Sequence, residues 1–145
     1  EPCGQARGLR FVNDSKATNT DAVSKALTAF APGSVLILLG GHDKGTELAD
    51  MASDVAASAR VAVCFGEAGE RIAQALEAQG SALEVIRAEH MEQALDAAIA
   101  QARPGDVVLL SPACSSFDEF SGYEQRGRVF KGLVAQRIKA MEERQ

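Results

Sequence analysis

Five times along this chain a short apolar run of strand length gives way to a longer stretch with apolar residues at helical spacing, and no other feature restricts the fold as much. The runs are Leu9 to Val12, Val35 to Leu39, Val61 to Phe65, Leu83 to Ile86 and Val107 to Leu110. Between them, Ala22, Val23, Ala26, Leu27 and Phe30 keep a helical stripe, with Asn19 or Thr20 as its cap and Asp21 in its first turn. Leu48 to Ala59 reads as the next helix, a third follows Gly66 and runs through about Ala78, and Met91, Ala94, Leu95, Ala98, Ile99 and Ala102 mark a strongly periodic fourth. A last helix from about Tyr123 to Glu143 places Phe130, Val134, Ile138 and Met141 on one face. Pro32-Gly33, Gly80 and Pro104-Gly105 supply the stops. A run that is apolar throughout, such as Val35 to Leu39, suits a strand covered on both faces. The alternation therefore predicts a Rossmann-like α/β fold: a doubly wound, mainly parallel sheet of about five or six strands, flanked by helices and joined by right-handed crossovers. Residues 1 to 8 are rich in glycine and polar side chains, so the first strand is expected only at Leu9.

The chain has 145 residues, which fits one domain able to bury a core without disulfides or metals. Cys3, Cys64 and Cys114 show no paired spacing and read as reduced thiols, not as metal ligands. No apolar run reaches the length of a membrane span, and Glu1-Pro2-Cys3-Gly4 does not resemble a signal peptide, so a cytoplasmic address is expected. A net charge of -5 gives the chain as a whole no electrostatic attraction to nucleic acid or to an acidic membrane. Its cations must act locally, on something small.

In a parallel sheet all strand C-termini share one edge, so the loops after the first, second and fifth predicted strands converge there. Those loops are Asn13-Asp14-Ser15-Lys16-Ala17-Thr18-Asn19, Gly40-Gly41-His42-Asp43-Lys44-Gly45 and Ser111-Pro112-Ala113-Cys114-Ser115-Ser116-Phe117-Asp118-Glu119-Phe120. Lys16, Lys44 and the Ser115-Ser116 pair would then surround one crevice suited to a multiply anionic small molecule. Each piece also has a plainer use. Asn13-Asp14-Ser15 is the composition of an Asx-turn and helix cap. A Gly-Gly pair is a common turn, and a lone loop lysine is usually solvated. His42 is expected to be a polar loop residue with nothing nearby to orient it, and His90 a surface or capping residue. Asp118 and Glu119 are adjacent and point different ways, which favours a role at a helix N-terminus over an acid/base pair. Arg128 and Lys131 read as a solvated helical face, while the role of Arg126 stays open. No GxxxxGK[ST] and no GxGxxG follows the first strand, and neither histidine belongs to a nucleophilic triad. A receiver-type signalling module would end its third strand in a phospho-accepting Asp, where this chain has Cys64-Phe65-Gly66-Glu67.

Together with Tyr123-Glu124-Gln125-Arg126-Gly127, the three loops resemble the carboxy-terminal domain of the Mur ligases, most of all the members that add D-glutamate. The resemblance implies a three-domain, ATP- and Mg2+-dependent cytoplasmic ligase of peptidoglycan precursor synthesis, acting as a monomer, with residues 1–145 as its third domain. Its UDP-sugar site and its nucleotide P-loop would lie in two domains that are not in this sequence, so the chain alone is expected to be inactive. The partners implied are D-glutamate, ATP and UDP-N-acetylmuramoyl-L-alanine, joined through an acyl phosphate. By motif, Asp14 resembles the residue that meets the nucleotide ribose, Lys16 one near the phosphates, and Asn13 belongs to the same nucleotide-side loop. Thr18, Lys44 and Ser116 resemble the ligands of the D-glutamate carboxylates, and Tyr123 stands where the family has an aromatic residue beside that substrate. A sister Mur ligase using another amino acid, or a noncatalytic α/β binding module, are the alternatives.

Overall fold

The computed structural model describes residues 1–144. Among them are six strands and five helices: β1 (Pro2–Ala6), β2 (Leu9–Asn13), α1 (Thr20–Leu27), β3 (Val35–Gly40), α2 (Ala49–Ser58), β4 (Ala59–Phe65), α3 (Gly69–Glu77), β5 (Glu84–Arg87), α4 (Met91–Gln101), β6 (Val107–Ala113) and α5 (Tyr123–Glu143). They form one sheet in the order β1-β2-β6-β3-β4-β5, parallel except for β1, which runs antiparallel to β2. The expected doubly wound sheet is present.

β1 is the element that the glycine-rich composition of residues 1 to 8 concealed. Arg7 (φ 51) and Gly8 (φ 79) both take positive φ, the signature of a two-residue hairpin turn whose twist matches the strands it joins. The strand is short on apolar side chains because α5 packs directly on its backbone: a Cβ on Gly4 would lie 3.0 Å from Val134 and closer still to Ile138. An edge strand that meets a helix through a glycine leaves no alternating pattern to read.

β6 also runs further than expected, past Leu110 to Ala113. It can include Pro112 because β2 has already stopped pairing, at Asn13↔Leu110, and because the β3 register shifts between Leu38 and Gly40. Neither neighbour needs the missing N–H.

The strands sort their side chains by parity. Val35, Ile37 and Leu39 join Val23, Leu27, Met51, Val55 and Ile72 from α1, α2 and α3 in one buried layer. Leu36 and Leu38 join Val61, Val63, Met91, Leu95, Phe130 and Val134 in the other, under α4 and α5. Burial on both faces explains why β3 and β6 carry unbroken apolar runs. It also creates a switch point. β6 lies between β2 and β3 in the sheet; the neighbours leave toward α1 and α2 on one face, whereas β6 leaves toward α5 on the other. Connections that diverge from adjacent strands open a crevice at the strand C-termini.

Candidate functional site

The turn after β2 is built from its own polar side chains. The Asn13 side-chain oxygen accepts from the Ser15 N–H at 3.1 Å, an Asx-turn, and the Ala17 N–H donates to the Asp14 carbonyl at 2.9 Å. Asn19 is the N-cap of α1 and accepts from the Ala22 N–H at 2.9 Å. The turn therefore is an Asx-turn and cap, but these bonds leave Lys16 exposed and Thr18 half-buried at its lip. The Asp14 carboxylate accepts from the Ser111 hydroxyl at 2.9 Å, which joins this loop to β6, and the Ala113 N–H donates to the Ala17 carbonyl at 2.9 Å beside it.

The loop after β3 is held by carboxylates. Glu67 accepts from the Asp43 N–H at 2.7 Å and lies 2.9 Å from His42 Nδ1, so His42 does have an orienting partner, contrary to the expectation from sequence. The partner comes from the far side of β4, 25 positions on in sequence, which is why local reading missed it. Asp43 is gripped through both oxygens by Arg71, at 2.9 and 3.1 Å, and accepts from the Gly45 N–H at 2.8 Å. The guanidinium of Arg71 holds the Asp43 carboxyl below its ordinary range. Lys44, between these anchored neighbours, is exposed.

The third loop begins at Ala113, whose φ of 68 is a sparsely populated conformation for a residue with a Cβ and marks where β6 is bent out of the sheet. The Ser115 carbonyl accepts from the His42 N–H at 2.9 Å. Asp118 accepts from the Glu67 N–H, at the approach to α3, at 3.2 Å. Glu119 lies 3.7 Å from His90, the N-cap of α4, and accepts from the Met91 N–H. Both carboxylates thus serve helix N-termini, as expected, although those of α3 and α4 and not their own. Burial outweighs the neighbouring histidine and raises the Glu119 pKa.

Beneath the loops lies Arg126, with 0% of its surface exposed. Its Nε donates to the Ser15 hydroxyl at 2.9 Å and its Nη2 to the Ser15 carbonyl at 2.8 Å, while that hydroxyl donates to the Tyr123 carbonyl at 2.8 Å. Burial pushes the guanidinium down to about 10, so it stays charged near neutral pH. Its Nη1 and the hydroxyls of Ser115 and Ser116 are buried without a hydrogen-bond partner among the described residues. Sequence reading left Arg126 open, yet a signal was there: it sits one turn before Phe130 and two before Val134, on the apolar stripe of α5.

The predicted residues fall into neighbouring groups. Thr18 and Lys44 line one small cavity with Thr20, Asp43 and Arg71. Asn13, Lys16 and Tyr123 line another of about 350 Å³, and Asp14 and Lys16 a groove of about 670 Å³ between β2 and α1. Tyr123 is thereby set beside Asn13 and Lys16, apart from Thr18 and Lys44. Ser116 lines none of the three: it is 1% exposed, and its hydroxyl lies beneath the loop surface. Among the described residues no cluster of three or more His, Cys, Asp or Glu side chains is arranged to hold a metal ion. An ammonium beside a carboxylate, Lys16 with Asp14 on one groove, suits the phosphate and hydroxyl groups of a nucleotide.

Comparison with known proteins bears on this arrangement. Residues 1–114 match the family described as Mur ligase, glutamate ligase domain. The chain is 46% identical over 127 residues to the UDP-N-acetylmuramoylalanine–D-glutamate ligase of Acidobacterium capsulatum, covering 88% of this chain and 27% of that protein. To the enzyme of the same name from Salinibacter ruber it is 50% identical over 124 residues, 86% of this chain and 26% of the relative. It thus spans about a quarter of the length of these curated relatives. In three dimensions it aligns at TM-score 0.63 and 15% identity with a Haemophilus ducreyi domain, from a ligase named for UDP-N-acetylmuramate and L-alanyl-gamma-D-glutamyl-diaminopimelate. That alignment covers 94% of this chain and 97% of the other, and it shows a common fold. With the three loops gathered at one switch point and the family match running from β1 to the third loop, this chain belongs to the Mur ligases, as their glutamate ligase domain.

Proposed function

We propose that residues 1–145 are the third domain of a cytoplasmic, monomeric, ATP-dependent ligase that joins D-glutamate to UDP-N-acetylmuramoyl-L-alanine. The observation that carries this reading is the placement of Thr18 and Lys44 on one cavity at the switch point, in a chain whose curated relatives are named for D-glutamate ligation. D-Glutamate brings two carboxylates and an amine that must be uncharged to react. An ammonium and hydroxyls suit the carboxylates and leave the amine free. In this reading Lys44 and Thr18 take the carboxylates, with Ser116 and Tyr123 completing the wall once the loop above Ser116 rearranges. Asn13, Asp14 and Lys16 face the nucleotide, Asp14 toward a ribose hydroxyl and Lys16 toward phosphate. ATP supplies the phosphoryl group that activates the muramoyl-alanine carboxylate; Mg2+ and the P-loop belong to the rest of the parent protein.

The test is a panel. The full-length parent, given ATP, Mg2+ and UDP-N-acetylmuramoyl-L-alanine, should release phosphate with D-glutamate and not with L-glutamate, L-lysine or diaminopimelate, while the 145-residue chain alone should release none. Turnover with another amino acid in place of D-glutamate would assign the domain to a sister ligase.

A further inference from the structure

We propose that Arg126 is a positioning residue that couples the three loops of the crevice and holds a positive charge beneath them. Its hydrogen bonds go to Ser15 and to no carboxylate. Burying a guanidinium costs several kcal/mol unless a carboxylate compensates, and among the described residues none lies within ion-pair distance of Arg126; only longer-range attraction from Asp118 and Glu119 offsets the cost. The neighbouring stripe positions hold Phe130 and Val134, and an apolar side chain would continue that stripe without the cost. What the arginine does is bond the first loop and lie close to the other two.

Two of its nitrogens clasp the Ser15 carbonyl and hydroxyl, in the turn that presents Asp14, Lys16 and Thr18. Through that hydroxyl the clasp extends to the Tyr123 carbonyl, in the first turn of α5. Nη1 lies against the loop after β3, where a Cβ on Gly41 would sit 3.2 Å from it, and beside the Ser115 segment that Gly41 also meets. One buried fork therefore joins the Asp14–Lys16 wall by hydrogen bonds and packs against the Lys44 loop. Its charge, shielded from water, adds to the attraction of both for an anion.

The experiment compares Arg126→Met and Arg126→Lys in the full-length parent with wild type. Arg126→Met is expected to raise the KM for D-glutamate and for ATP about tenfold each, the loss of roughly 1.4 kcal/mol of binding, while its melting temperature stays within about 3 °C of wild type. Arg126→Lys, which keeps the charge but not the fork, should fall between. Amide exchange should quicken together at Ser15 to Thr18 and at Gly41 to Lys44 in Arg126→Met. A large drop in melting temperature with both KM values unchanged, or unaltered exchange in the two loops, would overturn the proposal. If Arg126→Met fails to fold, the exchange of Arg126→Lys decides. The kinetic arm rests on the ligase reading; the exchange arm does not, so a parent inactive with D-glutamate refutes that reading and leaves the loop coupling to be judged by exchange.

Discussion

Gly41 is the sharpest test of how tightly the crevice is closed. Its φ of 143 lies where residues with a Cβ rarely go, and a Cβ there would collide with the Ser115 carbonyl oxygen, sit 2.9 Å from the Cys114 Cβ and press on Arg126 at 3.2 Å. Two of those three contacts are backbone or near-backbone atoms, which cannot swing aside. Backbone strain of about 1–3 kcal/mol and overpacking of about 1–3 kcal/mol add to a predicted loss of about 2–6 kcal/mol for Gly41→Ala. For a chain of this size that corresponds to a fall in melting temperature of roughly 4–24 °C, a large share of a fold worth about 5–15 kcal/mol. Gly33→Ala is the control. Its φ is 82 but nothing lies within 4 Å of its Cβ, so it carries backbone strain alone, roughly 1–2 kcal/mol. Thermal melts of the two variants of the 145-residue chain, followed by circular dichroism, separate strain from collision. Equal shifts for Gly41→Ala and Gly33→Ala would refute the close apposition of the second and third loops.

Two further outcomes follow from the same geometry. Lys44→Ala in the full-length parent should raise the KM for D-glutamate by roughly 10- to 150-fold, the worth of one charge-assisted hydrogen bond, with the KM for UDP-N-acetylmuramoyl-L-alanine unchanged; an unaltered D-glutamate KM in steady-state kinetics would remove Lys44 from that role. Burial pushes the Cys64 thiol up from 9.0 to about 12. Between those values the unfolded chain releases a proton that the folded chain keeps, so this stabilisation is complete below about pH 9 and declines as pH rises, by roughly 1.4 kcal/mol per unit. Urea melts at pH 8 and pH 10.5 should show a smaller alkaline loss in Cys64→Ala than in wild type.

The parallel strands and the five helices were legible because burial on both faces leaves unbroken apolar runs, and because amphipathic stripes survive at helical spacing; α5 runs from Tyr123 to Glu143 as its stripe predicts. β1 was not, since Gly4 supplies the packing surface with its backbone and not with a side chain. In the crevice, the residues that present chemistry to solvent, such as Lys16, Thr18 and Lys44, stood out as polar groups in odd places. Those that hold them did not. Glu67 and Arg71 look like ordinary helix-approach charges until the fold brings them under Asp43, and their partnership spans residues that no local pattern links. Arg126 was visible as a cation on an apolar stripe, but its meaning depends on Ser15, 111 positions away.

The sharing-out of charge at this edge favours an anionic ligand more strongly than the presence of lysines does. The chain carries a net -5, and Lys16 and Lys44 each have an acidic residue within two positions in sequence. In the fold those acids are committed elsewhere. Asp14, beside Lys16, accepts from Ser111; Asp43, beside Lys44, belongs to Arg71 and the Gly45 N–H. Glu67 serves His42 and the Asp43 N–H, Asp118 the approach to α3, and Glu119 the start of α4. Among the described residues Lys16, Lys44 and Arg126 have no ion-pair partner, although the carboxylates around them keep their charge. A cation that is not already paired can take an anion without first giving up an acid. Removing one of these acids tests the argument: Asp43→Asn frees Arg71 and should tighten, not weaken, the nonspecific binding of inorganic phosphate at this edge, while loosening the geometry around Lys44.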